Sequence, residues 1–114
     1  MSSLGRSIKD YFSTPLLARQ NKEEADKVVN HLLEKRLIAC ANFSTIESRY
    51  WWKGGIENGE EIVTLLKTKK ENFELVRDEI LKIHPYEIPC ILKLDAEVNE
   101  SYGKWILNET TPNP

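Results

Sequence analysis

The chain has 114 residues, enough for one domain with an adequate core and too few for a second. Its 16 Lys and Arg against 18 Asp and Glu leave a formal charge of −2 with the signs mixed along the chain. That speaks against a nucleic-acid partner, because phosphate contacts need a surplus of basic side chains on one face. No apolar run approaches the roughly 20 residues that cross a bilayer, and Met1–Asp10 lacks a signal-like hydrophobic stretch, so the expectation is a cytoplasmic protein without a membrane partner.

One domain over 11–109 is expected between a tail at 1–10 and a second tail at 110–114. Tyr11–Arg19 reads as a strand, but Pro15 has no amide hydrogen. A start near Pro15 or Leu16 is favoured, the alternative being a proline at an edge or bulge. Asn21 can cap the first helix with Glu24 three residues on. Ala25, Val28, Val29, Leu32, Leu33 and Leu37 then form one apolar stripe at helical spacing. His31 falls off that stripe and reads as a surface residue, not a ligand.

Ile38–Ile46 reads as the next strand, continued by Tyr50, Trp51 and Trp52. Lys53-Gly54-Gly55 and Asn58-Gly59 both supply turn chemistry before a strand returns over Glu61–Thr68, making a long hairpin with aromatics near its tip. Thr68, with Glu71 behind it, is expected to cap a second helix. That helix buries Phe73, Val76, Ile80 and Ile83, broadened by Leu81, and Pro85 stops it. Glu87–Leu94 is the last strand, with Ile88, Cys90, Leu92 and Leu94 alternating with their neighbours. Ser101–Asn108 forms a short helix that sets Tyr102, Trp105 and Ile106 against apolar surface.

The order β-α-β-β-α-β with a terminal helix describes an α+β, ferredoxin-like sandwich whose helices cover one sheet face. Ile62, Leu66 and the apolar residues of the last strand then need shielding, and self-association supplies it most simply. Cys40 and Cys90 lie far apart with no CxxC, which indicates neither a disulfide framework nor a structural zinc. Cys40, inside an apolar strand, is expected to pack as a small hydrophobe. Glycine-rich phosphate loops, HExxH and GxSxG are all missing from the chain, so an enzyme is not expected and no cofactor is required.

Several short runs form a pattern: Leu37-Ile38-Ala39-Cys40-Ala41-Asn42, Ser48-x-Tyr50-x-Trp52-x-Gly54-x-Ile56, Glu60-Glu61 ahead of Lys67-Thr68, His84-Pro85-Tyr86-Glu87-Ile88-Pro89, and late Tyr102 and Trp105. In these residues the chain resembles the CutA family, the divalent-cation-tolerance proteins. The resemblance implies a ferredoxin-like subunit in a tight homotrimer, with the long hairpin extending its sheet into a neighbouring subunit. It places Tyr50, Trp52, Tyr86, Tyr102 and Trp105 at the interface or cleft and gives Gly54, Pro85 and Pro89 structural roles. It also implies a link to tolerance of copper and other divalent metal ions, and copper binding. Two departures stand out. The family's threonine-alanine-proline turn is replaced by Leu17-Ala18-Arg19-Gln20, and its glutamate after the second proline is Cys90 here.

The candidate metal donors are His84, Glu87 and Cys90, with Glu61 from the hairpin; imidazole and thiolate suit Cu²⁺, and a carboxylate completes a mixed set. If the strand is extended, Glu87 and Cys90 point to opposite faces, so clefts between subunits would assemble the set better than one chain. The structural alternatives are a His84 that finishes the helix against its dipole, a Tyr86 ring anchored in a groove, and a Glu87 paired with a lysine.

Overall fold

The computed structural model of the chain describes residues 10–16, 22–83 and 90–111. Its elements are β1 (Asp10–Leu16), α1 (Lys22–Glu34), β2 (Cys40–Trp52), β3 (Gly55–Thr68), α2 (Phe73–Ile83), β4 (Leu92–Asp95) and α3 (Glu100–Glu109). The strands form one sheet in the order β2-β3-β1-β4 with every pairing antiparallel. β1 and β2 are therefore parallel near-neighbours bridged by α1, and β3 and β4 are bridged by α2. This is the expected ferredoxin-like order.

β2 and β3 pair without a break from Cys40↔Lys67 to Trp52↔Gly55, so alternation assigns each hairpin residue a face. Thr64, Leu66 and Thr68 are buried and lie under the helices. The core joins Val28, Val29 and Leu32 of α1, Ile38, Leu66 of β3, and Val76 and Ile80 of α2. The Lys22 ammonium stands 4.9 Å over the Phe43 ring, which puts the start of α1 above the same face. Val63 and Leu65 of β3 face the other way, together with Ser44 and Ile46 of β2 and, through the β1 register, Leu92 and Leu94 of β4. The third helix covers one end of that second face. There Ile106 is fully buried, and the Lys67 ammonium sits 5.6 Å over the Tyr102 ring.

Several expectations are corrected. β1 starts at Asp10 and runs through Pro15, which pairs with Val63. Among the described residues β4 reaches only Asp10–Ser13, so β1 has a neighbour on one side alone at Pro15, where a missing amide hydrogen is tolerated. Residues 87–89 lie outside the described residues, and the described part of the last strand begins at Leu92, leaving Cys90 ahead of it. Asn58-Gly59 sits inside β3; the turn is Lys53-Gly54, with φ of 49° and 85°, the two positive values that a two-residue hairpin turn favours. Ile62 and Leu66 fall on the helix side, and Leu66 is fully buried by its own chain, so the face that needs a cover is carried by Val63 and Leu65 instead. Leu33, Leu81 and Ile83 are exposed, because the core draws on narrower helical stripes than the apolar residues mark out.

Thr68 does not cap α2. It ends β3, and its hydroxyl donates to the Leu37 carbonyl at 2.6 Å, while the Asn72 amide donates to that carbonyl at 3.1 Å and to Thr68 Oγ1 at 3.2 Å. A 3-10 turn over Lys70–Asn72 leads into α2 instead. Arg36 ends α1 with φ of 61°: its amide donates to Leu33 O at 3.0 Å and that of Leu37 to Leu32 O at 3.0 Å, a helix stop that glycine usually fills. The arginine brings a side chain that glycine lacks, and Nη1 donates to the Glu109 carboxylate at 2.9 Å, tying α3 to the end of α1. Thr110, expected in the C-terminal tail, is buried, and its hydroxyl donates to Ile106 O at 2.7 Å.

Candidate functional site

His84, Pro85, Tyr86, Glu87 and Pro89 lie outside the described residues. The other residues singled out from the sequence fall on the sheet face opposite α1 and α2, or beside it. Tyr50 and Trp52 are half-buried near the hairpin turn, which Gly54 closes, and the Lys53 ammonium stands 5.7 Å over the Trp52 ring. Tyr102 and Trp105 stack on α3 with ring centroids 5.5 Å apart. Cys40 opens β2, half-buried and opposite Lys67. Cys90 is exposed, two residues ahead of β4.

Glu61 occupies β3 on this same face, opposite Ile46, and is 8% exposed. β4 lies two strands from β3, about 10 Å across the sheet at the usual strand spacing, and Cys90 precedes it, so sheet pairing does not make Glu61 and Cys90 neighbours. Among the described residues no group of three or more His, Cys, Asp and Glu side chains is placed to hold a metal ion. Much of the face stays uncovered at its apolar residues: Ile46, Leu92, Leu94 and Trp105 are 40–48% exposed.

A tight ionic cluster lies on the helix layer, away from these residues. His31 of α1 donates through Nε2 to Glu79 Oε2 of α2 at 2.6 Å, with Lys82 Nζ 3.4 Å and Lys35 Nζ 3.6 Å from the same carboxylate. The His31 hydrogen bond holds the Glu79 carboxyl down from 4.5 to about 2; partial burial opposes it, and the two lysines reinforce it. His31 is thus a half-buried pin between helices, neither a free surface residue nor a ligand. Helical spacing offers the Glu79–Lys82 pair; the partner 48 residues away is set only by how the helices pack.

Four antiparallel strands in the order β2-β3-β1-β4, with two crossover helices on one face, define a ferredoxin-like fold. A family model described as CutA1 divalent ion tolerance protein matches residues 15–109, and the chain belongs to that family. It is 45% identical over 89 residues to the divalent-cation tolerance protein CutA of Pyrococcus horikoshii, covering 77% of this chain and 87% of that protein. The corresponding protein of Thermotoga maritima is 44% identical over 87 residues, covering 75% of this chain and 86% of its own. The crystal structure of CutA1 from Pyrococcus horikoshii superimposes with a TM-score of 0.84 at 38% identity, over 90% of this chain and 99% of the other.

Proposed function

We propose that this chain serves divalent-metal tolerance as a homotrimer that binds metal ions weakly in the clefts between its subunits. The assembly is supported by the uncovered sheet face, where Ile46, Leu92, Leu94 and Trp105 expose apolar surface that a second copy would bury. Metal binding is supported by the divalent-cation tolerance of the named relatives and by a donor set of His84, Glu87 and Cys90 close together in sequence. If residues 87–90 run extended, alternation turns Glu87 and Cys90 to opposite faces, so the ion would draw on more than one subunit.

Native mass spectrometry with and without one equivalent of Cu²⁺ or Zn²⁺ per subunit tests both parts. The expected result is a trimer that takes up copper and loses that uptake in His84→Ala. A trimer indifferent to both metals would remove the metal half of the reading and leave a scaffold for a protein or small-molecule partner. A monomer at micromolar concentration would remove the assembly.

A further inference from the structure

Glu61 is a carboxylate more than nine-tenths buried that no hydrogen bond or ion pair reaches from the described residues. Among the described residues its neighbours on the same face are Ile46 across the pair, Gly59 and Val63 along β3, and Ser44, Ser48 and Pro15 on the diagonals. None of these is a cation. A buried carboxylate is strongly disfavoured unless it gains a counter-charge, and covering this face with apolar surface alone would strand it further.

A metal ion here would have to take its other donors from the second copy, because among the described residues Glu61 belongs to no group of three. The position suits a cation that brings its own hydrogen-bond donors and asks for one carboxylate. Among the described arginines, Arg36 holds Glu109 and Arg77 holds Asp78, while Arg49 holds only the Asn58 amide oxygen. Lys27, Lys69 and Lys70 hold no acid among the described residues, so more ammonium groups than guanidinium groups stand open to pair with a carboxylate.

We propose that a lysine of a second copy completes Glu61, so that this carboxylate is one half of an ion pair between subunits and not a metal ligand. The inference rests on the trimer reading, because it takes the uncovered face as the place where the second copy arrives. Such a pair would act mainly on alignment. A neighbour that slid along the apolar face would leave both charges buried and unmatched, so the pair selects one docking position.

The test mixes isotope-labelled and unlabelled full-length protein, allows subunits to exchange, and joins contacting carboxylate and ammonium groups with a water-soluble carbodiimide. The expected product is a Glu61 peptide linked to a lysine peptide of the opposite label. In parallel, Glu61→Gln, close in shape and uncharged, should raise the dissociation constant of the assembly roughly tenfold or more, equally with and without chelator. A Glu61 linked only within its own label, a Glu61 without any link, or unchanged association in Glu61→Gln overturns the proposal. So does loss of copper uptake from an intact Glu61→Gln trimer, which would return Glu61 to the metal donors. Wild-type protein that stays monomeric defeats the trimer reading itself, an outcome visible before any variant is made.

Discussion

At the scale of single residues, the best-defined electrostatic feature is the Glu79 carboxylate between His31, Lys82 and Lys35. Its acidity is strengthened on folding, from 4.5 to about 2, chiefly by the His31 hydrogen bond. A carboxylate with a lowered folded-state value stabilises the fold above its unfolded value and loses that contribution as pH falls toward the folded one. Wild type should therefore be more stable than Glu79→Gln above about pH 5, and the gap should close between 4.5 and about 2. Urea titrations of both proteins at stepped pH would show it, and a gap that stayed constant across that range would contradict the assignment. The Glu79–His31 pairing was not legible in the sequence, since nothing local links residues 48 positions apart. The sequence marks Glu61 as a candidate donor, but its enclosure follows from the fold and not from its neighbours in sequence.

At the scale of elements, the three helices were legible because apolar residues recur at helical spacing, and errors came where two local rules competed. Asn58-Gly59 is the better turn dipeptide, yet Lys53-Gly54 turns the chain. A turn at Asn58-Gly59 would let only Glu60–Thr68 find partners and leave Cys40–Ser48 with none. The observed turn pairs all of β2. Ladder pairing summed over the hairpin outweighs the preference of one dipeptide. Thr68 shows the same conflict at the start of α2, where a hydroxyl suited to capping is taken by the Leu37 carbonyl. The turn allows a clean comparison. A Cβ on Gly54 or on Gly55 would meet nothing within 4 Å, but only Gly54 has positive φ, at 85°. Gly54→Ala should cost about 1 kcal/mol through the backbone alone, while Gly55→Ala is near neutral, as thermal unfolding of the two variants would reveal.

At the scale of the whole molecule, whose principal extents are 52 × 28 × 20 Å, the hairpin sets the shape. Near Cys40 and Lys67 it lies beneath helices and beside β1; beyond Leu16↔Ile62 the described sheet is two strands wide. An isolated two-stranded ribbon is marginal in water, and at its end Trp51 and Ile56, paired across the strands, are 74% and 63% exposed. Amides over 48–59 should exchange with solvent much faster than those over 64–68 in dilute protein, and should slow as concentration rises if neighbouring copies cover the arm. Exchange read by mass spectrometry at two concentrations checks this, and arm rates independent of concentration would leave the arm without a cover. The α+β class and the β-α-β-β-α-β succession were legible from the alternation of strand and helix signals. Which sheet face stays open was not, because it depends on a register that one residue can invert.

The unbroken pairing from Trp52↔Gly55 back to Cys40↔Lys67 also limits how the arm can change length. Deleting one residue from either strand turns every side chain beyond the cut to the opposite face. Removing one residue from each strand keeps cross-strand partners together but turns both strands over beyond the cut, and it moves the turn onto the other kind of antiparallel pair, where a two-residue closure no longer fits. The arm can therefore grow or shrink only in whole steps of two residues per strand. Insertions and deletions here would be tolerated in multiples of four or not at all, a counting rule written into the hairpin by its uninterrupted ladder.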